Sequence, residues 1–204
     1  MNRKDDTVMT APIIGVSPAY FISRFSDRFS ADQMAGGLED VAAMGFNGFQ
    51  PEVFHRSTLS DWQQGGAARV AGQARSLGLR ATQFVAHFML HAFNTPEHLD
   101  GDTSLEDIQR VIDIVSHFDG CRIVTIPLGA FTISKANRND SDSDHYKRFR
   151  DIIGHLAREA AAAGYRLALE IMPGAVIGRI DGFMRLSADL GPDAPGLNFD
   201  TGHA

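Results

Sequence analysis

The chain has 204 residues, a length that suits one large domain around a single core. Hydrophobic residues at 44% and charged residues at 22% exclude a disordered or fibrous chain. Its 19 basic and 25 acidic residues leave a formal charge of −6, which argues against nucleic acid or an anionic membrane as main partner.

Residues 1–12 read as a short flexible tail, with two early basic residues but no apolar stretch of the kind a secretory signal needs. From Ile13 onward a pattern recurs: a short apolar strand, a polar loop, an amphipathic helix, then glycine and the next strand. The expected strands are Ile13–Val16, Phe46–Gln50, Leu79–Val85, Cys121–Pro127, Arg166–Ile171 and Gly196–Phe199. Most are nearly continuous in apolar residues, as parallel strands covered on both faces are. Between them, Ser30-Ala-Asp-Gln33 has the form of a capping box, and Met34, Leu38 and Val41 follow on one face. Asp61–Leu77 reads as a less apolar helix with Trp62, Val70, Ala74 and Leu77 inward. Ile108, Val111, Ile112 and Val115 mark the next helix. Tyr146, Phe149, Ile153, Leu156 and Ala160 mark the helix after it. Five helices run out into Gly45, Gly78, Gly120, Gly164 and Gly191, where a residue of positive φ commonly ends a helix.

Strict alternation of strand and helix gives a parallel α/β sheet, either open and doubly wound or part of a (β/α)8 barrel. Ser17-Pro-Ala-Tyr-Phe21 follows the first strand where a dinucleotide-binding sheet would carry its glycine-rich turn. No GxxxxGK[ST] occurs either, so the barrel is the better reading.

Chemistry in such a barrel sits at the C-terminal ends of the strands. Glu170 stands there on the fifth strand between apolar neighbours, as either a functional carboxylate or the partner of a wall arginine. Asp200 and His203 follow the sixth strand, three residues apart. Glu, Asp and His together suit a divalent ion with oxygen-rich coordination, Mn²⁺ or Mg²⁺ above all, with Zn²⁺ or Co²⁺ as alternatives. His87 at the third strand's end is a candidate substrate contact or a satisfied rim residue. Any of Gln50, Glu52 and His55 after strand two could line the pocket. His117 reads as packing and Cys121 as a small buried hydrophobe. The polar connection Phe131–Tyr146 reads equally as a lid or as a solvated insertion.

Leu169-Glu170-Ile-Met-Pro173 followed by Asn198-Phe-Asp200-Thr-Gly-His203 resembles the xylose isomerase-like barrel superfamily. Gly45-Phe-Asn-Gly48, His87, Asn94 and Ala163-Gly164 add weaker matches, so the resemblance spans Ile13 to the last residue. It implies that Glu170 and Asp200 ligate a divalent metal and that Glu170 also acts as acid and base. It implies that His203 holds a substrate hydroxyl. Gln50 stands where the family usually has a glutamate. The resemblance further implies a metal-dependent sugar or sugar-phosphate isomerase or epimerase, working through an enediolate on a small sugar or polyol. An inosose dehydratase-like lyase, an endonuclease-IV-like phosphodiesterase and an inactive fragment are the alternatives. Family barrels run to about 250 residues, and their histidine and second glutamate come from strands seven and eight. The expectation is therefore an incomplete barrel of about six strands over residues 13–204. Its exposed flanks would favour a homo-oligomer unless something covers them.

Overall fold

The computed structural model describes residues 12–101, 103–133 and 142–202, excepting the side chains of 103–105 and 142–143. The expected tail at 1–11, His203, and residues 134–141 of the polar connection lie outside the described residues.

The strands are β1 (Gly15–Val16), β2 (Gly48–Phe49), β3 (Arg80–Ala81), β4 (Phe84–Val85), β5 (Ile123–Pro127), β6 (Arg166–Glu170) and β7 (Gly196–Asn198). Between and around them run α1 (Ala19–Phe25), α2 (Ala31–Ala43), the short α3 (Leu59–Asp61), α4 (Ala67–Ser76), α5 (Pro96–Leu99), α6 (Thr103–Val115), α7 (Asp142–Ala162) and α8 (Ile180–Leu190). All strand pairs are parallel and neighbours follow chain order, first β1-β2-β3, then β4-β5-β6-β7. Helical crossovers are what such pairing requires.

The expected third strand is split. Thr82 and Gln83 interrupt it, leaving β3 on β2 and β4 on β5. The two ladders are joined beyond the break, where Glu52 bridges Val85. There the Val85 N–H donates to the Pro51 carbonyl and the Val53 N–H to the Val85 carbonyl. The backbone of strand two thus continues past Gln50, and that extension carries Glu52 to the barrel's interior end. The array is one curved succession of six strand positions, an α/β arc of barrel type.

The helices form as their patterns dictate. Ser30 caps α2 with a reciprocal bond to Gln33, and Met34, Leu38 and Val41 are fully buried. The inward stripe of α7 is buried from Tyr146 to Ala160. On α6, Ile114 is buried and Ile112 only partly so, a rotation of the stripe by a fraction of a turn. The helix expected over Asp61–Leu77 is kinked at Gln64 and Gly65, where Gly65 takes a φ of 102°. All five helix-terminal glycines have positive φ, from 58° at Gly191 to 86° at Gly45. His117 is exposed in the turn after α6 rather than packed, whereas Cys121 is fully buried. Burial pushes the Cys121 thiol up to about 11.

Register sorts the interior into layers. Val85, Thr125, Ala168 and Gly196 stand side by side, and Pro127, Glu170 and Asn198 form the next layer towards the C-terminal ends. Alternation sends Val124, Ile126, Leu167 and Leu169 to the opposite face, where all are buried under the helices. Small residues let the strands at the other flank close up: a Cβ built on Gly15 would lie 2.8 Å from the Gly48 carbonyl carbon. Gly15→Ala should therefore force β1 and β2 apart and cost about 1–3 kcal/mol. Urea unfolding of the variant, compared with Gly36→Ala at an open position, checks it.

Candidate active site at the C-terminal ends of the strands

Glu170 ends β6 at the rim of a cavity of about 600 Å³ that it shares with Asp200, Asn198, Gln50, Glu52 and His87. The carboxylates at 170 and 200 therefore open into one space. Pairing register places Asn198 beside Glu170, and the Asn198 amide donates to Glu170 Oε2 at 2.7 Å. Asn198 Oδ1 in turn accepts from the Gln83 amide at 3.3 Å. The buried Thr125 hydroxyl donates to Gln83 Oε1 at 2.9 Å. This chain of bonds crosses the interior from strand three to strand six. It fixes both amide orientations, because each amide nitrogen must face an acceptor.

Asp200 lies just beyond β7 and is exposed. Its Oδ1 accepts the Gly202 N–H at 2.7 Å, closing a small turn that sets the side chain at the mouth. Gln50 lines the same cavity half-buried, its backbone N–H held by the Val16 carbonyl. His87 stacks on Phe54 with ring centroids 3.8 Å apart and planes at 18°. Its Nδ1 lies 3.3 Å from Glu52 Oε1. Glu52 is 2% exposed, and its other oxygen has no hydrogen-bond partner among the described residues. Burial raises the Glu52 carboxyl above its ordinary range, the bond from His87 opposes this, and the Glu170 charge adds to the rise.

The three residues weighed after strand two thus separate. Gln50 and Glu52 reach the cavity. His55 instead pairs with Asp27 at 2.9 Å, which draws the Asp27 carboxyl below its usual range. Asn94 is engaged with His98 at 2.7 Å, within the loop that follows β4. His203 lies outside the described residues. A second hollow of about 650 Å³ adjoins the first through Asn198, Phe199 and Asp200. Among the described residues no three His, Cys, Asp or Glu side chains are placed to hold a metal ion. Glu170 and Asp200 have the hard oxygen donors that a divalent cation takes, and they fit as two ligands of a larger set.

A family model described as xylose isomerase-like TIM barrel matches residues 38–204. The chain belongs to the xylose isomerase-like TIM barrel family. Solved structures of the same fold include a xylose isomerase-like TIM barrel protein from Mycobacterium smegmatis in complex with magnesium, at 20% identity and a TM-score of 0.61. It is matched over 87% of this chain and 59% of its own length. The 3-keto-D-glucoside 4-epimerase from E. coli is 15% identical with a TM-score of 0.59, over 83% of this chain and 63% of that one. The IolI protein with a bound zinc atom is 13% identical with a TM-score of 0.65, over 90% and 60%. The chain thus spans less than two thirds of the length of each. No curated protein matches it significantly.

For this member of the xylose isomerase-like family, sequence reasoning passed over Thr125 and Gln83 and gave Asn198 no role. The available signal was parity: Gln83 shares the phase of Val85, so a polar side chain there had to enter the interior. Removing the amide in Asn198→Ala should cost about 1–3 kcal/mol, because Gln83 loses its acceptor inside the barrel. In a denaturant double-mutant cycle, Asn198→Ala and Gln83→Ala should fall short of additivity by at least about 0.5 kcal/mol. Glu52 gives a pH signature. Its folded pKa is raised, so the folded state binds more protons than the unfolded one as pH climbs through and above the usual carboxylate range. Stability should therefore fall between pH 4 and pH 8 relative to Glu52→Gln. Thermal melts should place the variant about 2–4 °C higher at pH 8, the shift that about 1 kcal/mol produces at this size, with no difference near pH 4.

Proposed function

We propose that this chain is the metal- and substrate-holding portion of a divalent-metal-dependent isomerase or epimerase. Its substrate is a sugar, free or phosphorylated, in which a carbon-bound proton moves through an enediolate. The reading rests on one observation, the meeting of Glu170 and Asp200 at a cavity whose wall also bears Gln50 and His87. Two carboxylates on neighbouring strands facing one cavity offer a divalent cation hard oxygen donors from two sides. The magnesium and zinc in structures of the same fold, and the epimerase among them, support the same reading.

Glu170 and Asp200 would supply two oxygen donors for Mn²⁺ or Mg²⁺, or for Zn²⁺ or Co²⁺. A bound divalent ion would polarise the substrate's carbonyl and the neighbouring hydroxyl, making the C–H between them more acidic. Glu170 then accepts the carbon-bound proton and returns it. Asn198 holds one oxygen of that carboxylate in the plane its register sets, so the proton acceptor is aimed before substrate arrives. Gln50, His87 and His203 bind substrate hydroxyls and fix which carbon faces Glu170. The setting is cytoplasmic, with the one cysteine free and buried, and no described helix is long and apolar enough to cross a membrane. A small polar substrate also suits the acidic balance of the chain better than DNA does.

Deuterium uptake from D₂O into D-fructose, D-tagatose or dihydroxyacetone, followed by proton NMR with added Mn²⁺ or Mg²⁺, tests the proposal. Glu170→Gln should slow uptake by at least about 100-fold, and Asp200→Asn should weaken Mn²⁺ binding in calorimetry. Uptake that is unaffected by Glu170→Gln removes the residue from the reaction.

A further inference from the structure

Glu52 is buried at the cavity wall, and proton transfer by Glu170 makes no use of it. A buried acid with one oxygen lacking a hydrogen-bond partner is expensive to keep, and an apolar side chain on the same strand extension would pack without that cost. Its other oxygen lies 3.3 Å from His87 Nδ1. The imidazole is clamped from one side by the Phe54 ring, which sets the plane in which its second nitrogen points. With Nδ1 taken, Nε2 is the atom through which this partly exposed histidine meets whatever fills the cavity.

We propose that Glu52 and His87 form a second proton-handling arm of the cavity, in which Glu52 positions the imidazole and His87 Nε2 exchanges a proton with a substrate oxygen. The inference rests on the isomerase reading above. The arm comes from strands two and three, and Glu170 from strand five, with β5 between them in the sheet. The pair holds two protons, one shared between Glu52 and Nδ1 and one on Nε2. As Glu170 takes the proton from carbon, that C–H electron pair becomes the enediolate double bond and the carbonyl π pair moves onto oxygen. Nε2 gives that oxygen its proton, leaving a neutral imidazole protonated at Nδ1 against the Glu52 carboxylate. When carbon is reprotonated by Glu170, Nε2 recovers a proton from the hydroxyl that becomes the new carbonyl. No other reactant is consumed. His87 is thus a catalytic residue and Glu52 a positioning residue.

The test uses the whole chain labelled with ¹⁵N-histidine, in the wild type, Glu52→Gln, Glu52→Asp and His87→Gln. In the wild type, the His87 Nδ1 shift should report a proton engaged by a carboxyl, and added xylitol should move the Nε2 resonance. Glu52→Gln should redistribute the tautomers of His87, while Glu52→Asp should restore the wild-type pattern in part. With a ketose that exchanges, Glu52→Gln and His87→Gln should reduce conversion to product about 100-fold, the loss falling in kcat for Glu52→Gln and in both kcat and KM for His87→Gln. Deuterium uptake through Glu170 should slow in both, because Nε2 protonates the oxygen of the same enediolate. An Nε2 resonance that xylitol leaves unmoved, or a His87 tautomer balance unchanged by Glu52→Gln, overturns the arm, and so does product formation that neither variant slows. A wild-type chain that takes up no deuterium from any ketose counts instead against the isomerase reading, and the NMR readouts then decide the arm alone.

Discussion

Gln83 and Thr125 are buried in the interior of this barrel, where a polar side chain needs a hydrogen-bond partner from a neighbouring strand. Parallel register decides who that partner is. Pairing of β6 with β7 sets Glu170 next to Asn198, and that adjacency gives Glu170 a fixed donor 2.7 Å away. Asn198 can serve only because Gln83 accepts the duty of satisfying its carbonyl, and Gln83 only because Thr125 satisfies the other end. The carboxylate at the cavity is therefore held by four strand positions at once. A shift of one residue in any of them would turn Glu170, or its support, to the helical face.

The same constraint separates the roles of the acids. Asp107 is as buried as Glu52, but Arg56 grips it with two nitrogens and Arg56 lies over the Phe88 ring. That carboxylate is neutralised and belongs to the packing of the loop after strand two. Glu52 has only an imidazole, and one of its oxygens is left without a bond. Asp27 and His55 make the corresponding pair in solvent, where it costs little and holds little. Burial and partner together, rather than residue type, distinguish a structural acid from one poised at a cavity.

Much of the fold could be read before any coordinates. The capping box at Ser30, the inner stripe of α7 and the glycines at helix ends are local rules, and each residue obeys them where expected. The strand positions were also legible, since near-continuous apolar runs leave few choices. Their lengths were not. Ile13 and Ile14 read as strand yet stay exposed on the outer flank, where, among the described residues, Ile14 bonds only to the Asn47 backbone N–H and side-chain oxygen. At Thr82–Gln83 a break follows from tertiary demand, not propensity. Glu170, Asp200, His87 and Gln50 could be gathered from the chain because they stand at strand ends. Glu52 could not be chosen over His55, because that choice depends on the extra bridge to Val85 that carries strand two onward.

The interruption at Thr82–Gln83 also divides the backbone ladder into two unequal pieces. One is the short β1-β2-β3 group, pinned by two-residue pairings. The other is the β4-to-β7 group, with a five-residue pairing at its centre. Amide protons in Val124–Ile126 and Leu167–Leu169 belong to the piece that opens last, and those of Gly48 and Ala81 to one that can open first. The seam thus leaves Gln50 on the weaker piece, while the bridge from Glu52 to Val85 anchors the end of strand two to the stronger one.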